Sequence, residues 1–121
     1  MPHYMLVLRD DPKVFQSYGP DDMQRLLAKY NAWSEKVGAQ GRLIGGNKLQ
    51  DEGGRTMKLA SGRVVTKDGP FAETKEIVSG YFIVKADSYD HAVSLCADHP
   101  VFSHQGVLEI REVDYMGRPE P

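Results

Sequence analysis

The sequence predicts one α+β domain in which two helices cover one face of an antiparallel sheet. Apolar segments of strand length alternate with two amphipathic segments of helix length, in the order strand, helix, strand, hairpin, strand, helix, strand. The chain has 121 residues, 40% of them hydrophobic, which suits a single domain with its own core. We expect residues 1–115 to form this domain and 116–121 to form a polar tail.

Composition and charge exclude several classes of protein. The net charge of -2 gives no general attraction to nucleic acids or anionic membranes. The single cysteine, Cys96, rules out an internal disulfide and suits a reducing compartment. The opening MPHYMLVLRDD has no basic leader, and its apolar run is too short for a signal peptide or a membrane span. We therefore expect a cytoplasmic protein that binds neither nucleic acid nor membrane.

The first strand is predicted at HYMLVLR, residues 3–9, and it is apolar on both faces. Tyr4, Leu6 and Leu8 alternate with Met5 and Val7, whereas a strand with one wet face would alternate with polar residues. Both faces of the sheet are therefore expected to be covered.

The first helix is predicted to begin at Pro20, which suits the first helical position, and to stop near the glycines at 38 and 41. Asp21 and Asp22 suit the positive end of the helix dipole. The apolar stripe consists of Met23, Leu26, Leu27, Tyr30, Trp33 and Val37. Met and aromatic residues at helical spacing favour a core face over a cofactor site.

The remaining elements follow from the same periodicities. Strands are predicted at 42–50, where two glycines interrupt the pattern, at 76–86 and at 106–115, with a hairpin at 55–68 that turns at Ser61 and Gly62. A second helix is predicted within 87–100, capped by Asp87 or Ser88 and ended by Pro100. Its inward-facing residues are Tyr89, Ala92, Val93 and Cys96.

This order is the ferredoxin-like split β-α-β with a β-hairpin insert. Two helices on one face leave the other face of the sheet open, although the first strand is apolar on both sides. An exposed apolar patch of that size favours a partner. We expect a homodimer in which two sheets pack face to face as a dimeric α+β barrel.

The motif DGPFAETKE at 68–76, together with YMLVLR, GYFIV and LEIREV, resembles the DGPF branch of the YCII-related family over residues 4–113. The resemblance implies a dimeric α+β barrel with a biochemical role that is mostly undefined, in a family where some members accompany sigma factors. It also implies a dyad in shorter members, formed by a His near the start of the first helix and an Asp. Asp22 stands where that His would be, so it is a candidate catalytic residue only if burial or a like charge raises its pKa.

The DGPF loop is predicted to be rigid. Gly69 suits a positive φ angle, Pro70 stiffens the loop, and Phe71 is expected to anchor it. Asp68 is either a turn-holding residue that accepts the N–H of Gly69 or Phe71, or a catalytic carboxylate. A rigid loop of this kind suits a binding site and a dimer contact equally well.

The other candidates surround a predicted pocket between the sheet and the first helix, with Asp68 and Phe71 at its rim. His104 is a candidate catalytic residue because its loop returns to the sheet edge. The candidate ligand-binding residues are Arg9, Asp10, Tyr30, Trp33, Phe71, Tyr81 and Arg111. The arginines would serve an anionic ligand, or they pair with Glu109 or Glu112 instead, and the rings would line a wet cavity or fill a dry core.

Two function classes remain open after these observations. No Cys/His motif, phosphate loop or nucleophile elbow is present in the sequence, so neither a metal nor a cofactor is predicted. The favoured interpretation is a small-molecule-binding or regulatory dimer. The alternative is a cofactor-independent enzyme that uses carboxylate and His acid-base chemistry on a small organic substrate.

Overall fold

The computed structural model describes residues 1–69 and 76–121. Its strands and helices, in chain order, are β1 His3–Asp10, α1 Pro20–Ala39, β2 Leu43–Lys48, β3 Arg55–Ala60, β4 Arg63–Asp68, β5 Ile77–Lys85, α2 Tyr89–Leu95 and β6 Val107–Glu112. Two short 3₁₀ helices, Pro12–Ser17 and Pro100–His104, follow β1 and precede β6. The predicted α+β order is confirmed. None of the helices in the described residues is long and apolar enough to cross a membrane.

The main sheet has the strand order β2-β5-β1-β6, and all of its neighbours are antiparallel. The core lies on one face of this sheet, where Leu6 and Val84 are fully buried. Side chains of α1 and α2, including Trp33 and Ala92, belong to the same buried cluster. Both helices therefore pack on one face, as the split β-α-β pattern predicts.

The opposite face of the sheet is apolar at its centre. Met5 pairs with Ile83 across the β1–β5 ladder, and Val7 pairs with Tyr81. These residues are half-buried in the single chain. Residues of β1 alternate between the two faces, so this open face is separated from the helices by the sheet itself.

Four expected core positions are exposed. Val93 of α2 is 56% exposed, because this seven-residue helix packs through Ala92 and the next residue turns about 100° away. Tyr89 is 49% exposed, although its ring packs against Tyr4. Met23 and Leu27, on the first half of α1, are 43% and 60% exposed. The predicted Ser88 cap is confirmed, since its hydroxyl accepts the His91 N–H.

The hairpin β3–β4 forms a two-stranded sheet of its own. Its turn is made by Ser61 and Gly62, as predicted, and both residues have a positive φ. Gly69 also has the predicted positive φ, and its N–H donates to the Gly54 carbonyl. The expected roles of Pro70 and Phe71 fall on residues 70–75, outside the described residues.

Candidate active site

A cavity of about 320 Å³ lies between α1 and the helix-covered face of the sheet. Its walls are mostly apolar and include Leu8, Phe15, Leu26 and Phe82. Polar side chains also line it, among them Asp10, Tyr30, Ser79 and His104. A concave apolar site with a few converging polar groups is the usual form of a small-molecule site.

The strand pairing brings Asp10 and His104 together across 94 positions of sequence. Asp10 is the last residue of β1, and Arg9 beside it pairs with Val107, the first residue of β6. Because β1 and β6 are antiparallel, the segment that enters β6 lies next to the end of β1. His104 ends the 3₁₀ helix of that segment, and Gln105 then reverses the chain with a φ of 63°.

Gly106 allows this segment to lie close to β1. Its N–H donates to the Val101 carbonyl at 2.9 Å, and a Cβ at this position would stand 2.4 Å from the Val101 Cγ2 and 3.2 Å from the Arg9 carbonyl oxygen. A side chain here would therefore push the His104 segment away from the sheet.

We expect Gly106→Ala to lower the free energy of unfolding by about 2 kcal/mol, because the added methyl overpacks this contact. Urea denaturation measures the change. Gly38→Ala is the matched control, since a Cβ at Gly38 meets nothing within 4 Å and alanine favours a helix. Equal stability changes in the two variants would contradict the close contact at Gly106.

Three ionisable side chains form a chain at the polar end of the cavity. The Tyr30 hydroxyl lies 2.7 Å from His104 Nε2, and His104 Nδ1 lies 3.6 Å from Asp10 Oδ2. Asp10 and His104 are 4% and 2% exposed. The Phe15 ring packs against the imidazole with centroids 5.0 Å apart.

The partners of His104 decide its tautomer. Nδ1 faces a carboxylate, which favours a proton on Nδ1, and Nε2 then accepts the hydroxyl proton of Tyr30. We assign this tautomer from the geometry, and it makes Tyr30 the donor and His104 the acceptor.

The buried environment brings the proton affinities of Asp10 and His104 closer together. Burial raises the pKa of Asp10, while the neighbouring Ser79 hydroxyl and the charge of His104 oppose that rise. Burial lowers the pKa of His104, and the Asp10 charge opposes that fall. Burial, and then the Asp10 charge, raise the pKa of Tyr30, so its hydroxyl stays protonated near neutral pH.

Asp10 Oδ1 and His104 Nδ1 are buried without a hydrogen-bond partner among the described residues. A buried polar atom left unpaired costs about 1–3 kcal/mol of stability. Such costs are concentrated at functional sites, where a ligand completes the hydrogen bonding.

The model of the YCII-related domain family matches residues 2–116. The chain belongs to the YCII-related family. A relative, an uncharacterised protein of Rhizobium meliloti, is 26% identical over 96 residues, which are 78% of this chain and 77% of the relative. A solved structure, 5-chloro-2-hydroxyhydroquinone dehydrochlorinase from Burkholderia phenoliruptrix in complex with 2,5-dihydroxybenzoquinone, matches with a TM-score of 0.51 and 12% identity over 94% of each chain. That likeness concerns the fold.

Three predicted site residues of this YCII-related domain, Asp10, Tyr30 and His104, line the cavity from the helix-covered side of the sheet. Tyr81 also borders it, but Tyr81 pairs with Val7 of the open face and its hydroxyl accepts the Asn47 side-chain N–H at 2.9 Å.

The sequence reasoning treated Asp10 and His104 separately, and the structure places them side by side. It did not single out Ser79 or Phe15. Ser79 lies where the β1–β5 register shifts, and a single serine in an apolar strand gives no clear signal of such a bulge.

The two candidate catalytic carboxylates, Asp68 and Asp22, lie away from the cavity. Asp68 has a 92% exposed side chain and pairs with Arg55 at 3.3 Å. Of the two N–H groups that it was expected to accept, that of Gly69 goes to the Gly54 carbonyl, and that of Phe71 falls outside the described residues. Asp22 accepts the Gly19 N–H at the start of α1 and pairs with Arg25, and these contacts lower its pKa. Acid-base catalysis by Asp22 requires a raised pKa, so the structure gives it a capping role instead.

Three more of the predicted ligand-binding residues lie away from the cavity, while Phe71 falls outside the described residues. Trp33 is buried in the core, and its indole N–H donates to the Leu95 carbonyl at 3.1 Å. Arg9 pairs with Glu109 on the open face of the sheet, and Arg111 lies 4.0 Å from the same carboxylate. The arginines therefore do not supply positive charge to the cavity.

A second, wider groove of about 490 Å³ runs between α1 and residues 97–103. The ion pair of Lys36 with Asp98 lies on it, with both side chains about half exposed. His99 forms part of its floor but is engaged by the Val101 N–H at Nδ1. The groove lacks the linked ionisable groups of the cavity. In residues 1–69 and 76–121, no group of three His, Cys, Asp or Glu side chains is placed to hold a metal ion.

Proposed function

We propose that this YCII-related domain binds a small organic molecule in the cavity and moves a proton to or from it without a cofactor. The observation that supports this most strongly is the buried Asp10–His104–Tyr30 chain at the polar end of an apolar cavity. Ionisable groups with shifted pKa values in a concave site are candidates for acid-base chemistry.

The proposed proton path follows from the assigned tautomer. The Tyr30 oxygen takes a proton from a ligand O–H or C–H group while the Tyr30 proton passes to His104 Nε2. The ligand becomes an anion, and the imidazolium that forms is stabilised by the Asp10 carboxylate. Reversal of the path returns the proton to the same or another atom of the ligand, which gives a tautomerisation.

The fold likeness is compatible with the binding of a small molecule. The dehydrochlorinase named above was solved in complex with 2,5-dihydroxybenzoquinone, so a protein with this fold holds a small quinone. This is an analogy at the level of the fold, and the assignment for this chain depends on its own residues.

Hydrogen exchange at carbon tests the proposal. Ring ketones such as cyclohexanone and 4-hydroxycyclohexanone exchange the hydrogens next to the carbonyl slowly in D₂O, and proton NMR follows their loss. We expect the protein to accelerate this exchange for at least one ketone of such a panel. No acceleration for any ketone would contradict a proton-transfer function.

The open face of the sheet favours a second copy of this chain as a partner. Met5, Val7 and Ile83 form its apolar centre, with the Arg9–Glu109 pair beside them. Two such faces packed together would form the dimeric α+β barrel, and a dimer that only binds its ligand is the second candidate function.

Sedimentation velocity at micromolar concentration should therefore show a dimer. Val7→Lys should give a monomer, because it places a charge at the centre of the packed faces. Val93→Lys is the matched control, since Val93 is exposed on α2 and its replacement should leave the dimer intact. A wild-type protein that sediments as a monomer would contradict the face-to-face arrangement.

A further inference from the structure

At the polar end of the cavity the His104 Nδ1–H faces the Asp10 carboxylate at 3.6 Å, and the hydrogen-bonding positions left there for a ligand are acceptors. Asp10 Oδ1 has no partner among the described residues, and a carboxylate oxygen accepts. The Tyr30 hydroxyl gives its proton to His104, which leaves the lone pairs of its oxygen as acceptors. A ligand that completes these positions must bring its own donors.

While His104 is neutral, the charges that line the cavity disfavour a ligand that arrives as an anion. Within the described residues they are the carboxylates of Asp10 and Asp51 and the ammonium of Lys48. Lys48 already pairs with Asp51 at 2.9 Å, so the Asp10 carboxylate has no cation of its own there. A ligand carboxylate or phosphate would face this charge in a low-dielectric site, where like charges repel strongly.

The size and walls of the cavity limit the body of the ligand. An apolar cavity of roughly 150 Å³ holds a benzene molecule. The cavity here, about 320 Å³, accommodates one ring with several substituents or two fused rings. Phe15 and Phe82 give it aromatic walls, which favour an apolar ring over a flexible polar chain.

We infer that the ligand is a small neutral ring compound with at least two free hydroxyl groups, of which a dihydroxybenzene is the simplest example. The inference rests on the proposed function in one respect, namely that both place the ligand in the same cavity. One hydroxyl donates to the Asp10 carboxylate, and another donates to the Tyr30 oxygen and occupies the start of the proton path.

Isothermal titration calorimetry tests this class with three kinds of probe. The first is the set of 1,2-, 1,3- and 1,4-dihydroxybenzene, the second is their mono-methyl ethers, and the third is benzoate. At least one dihydroxybenzene should bind, and methylation of one hydroxyl should weaken that binding roughly tenfold, since it leaves a buried acceptor unpaired. Benzoate should bind more weakly still.

Two variants with the same change of charge separate the role of Asp10 from a general effect. Asp10→Asn should reduce the preference for the free hydroxyl and strengthen benzoate binding. Asp68→Asn removes one negative charge from an exposed site on the hairpin, and it should leave both properties as in wild type. Three results would overturn the inference. They are benzoate binding to the wild type as tightly as any dihydroxybenzene, methyl ethers that bind as tightly as the parent dihydroxybenzenes, and no binding of any dihydroxybenzene.

The test also distinguishes this inference from the proposed function. Dihydroxybenzene binding without ketone exchange would keep the ligand class and remove the proton transfer. Ketone exchange that depends on His104, with no dihydroxybenzene binding, would remove the ligand class and keep the proton transfer.

Discussion

His104→Gln is expected to slow the catalysed exchange of ketone hydrogens by roughly two to four orders of magnitude, the usual contribution of a general acid or base. Glutamine fills a similar volume and offers hydrogen-bonding atoms to Tyr30, but it cannot hold the proton that Tyr30 passes to Nε2. The measurement is the proton-NMR exchange rate in D₂O at matched protein concentration, with circular dichroism to verify the fold.

His91→Gln is the matched control for this loss. His91 lies in the first turn of α2, where its Nδ1 accepts the Asp87 N–H, and it is not among the cavity residues. It should exchange ketone hydrogens at the wild-type rate. A folded His104→Gln protein with wild-type activity would remove His104 from the proton path.

Acidification from pH 6.5 to pH 4 is expected to lower the free energy of unfolding by about 3 kcal/mol through the titration of His99 alone. His99 is 2% exposed and packs edge-on against the Trp33 and Phe82 rings. Burial, and then the charge of His104, lower its pKa from 6.5 to about 4. Between these values the unfolded chain takes up a proton that the folded chain does not, so stability falls as the pH falls.

His99→Asn isolates this effect. Asn keeps an acceptor for the Val101 N–H at the start of the 3₁₀ helix, although the lost ring packing should destabilise the variant at pH 7. Urea denaturation from pH 7 to pH 4 should show the stability gap between the variant and wild type closing by about 3 kcal/mol. Parallel pH profiles would show that His99 titrates alike in the folded and unfolded chains.

The strands and helices could be predicted because their periodicities are local. The alternation in β1, the Pro20 start of α1 and the Ser88 cap all act within a few residues. The predicted inward face of α2 was correct for Ala92 and Cys96 and wrong for Tyr89 and Val93. Tyr89 contributes to two faces at once, since its ring packs against Tyr4 while its hydroxyl accepts the Glu112 N–H at the sheet edge.

The site could be predicted only as separate residues. Asp10 and His104 meet because β6 pairs with β1, and no local pattern states which strands are neighbours. The DGPF motif predicted a role for Asp68. Asp68 is exposed, and it ends a hairpin that forms a sheet separate from the main one. Local turn chemistry identified the turn and the conformation of Gly69, but it carries no information on where the loop lies in the fold.

The central claim is that His104 takes up the proton that Tyr30 passes on while Asp10 stabilises the imidazolium, and the nitrogen-15 NMR spectrum of its imidazole tests this most directly. We expect a neutral ring at pH 7 with the proton on Nδ1, and a pKa below the ordinary histidine value because burial outweighs the Asp10 charge. Addition of a bound dihydroxybenzene should shift the Nε2 resonance, while the same ligand should leave His91 unchanged. A proton on Nε2 in the resting protein, with no response of either ring nitrogen to the ligand, would contradict the claim.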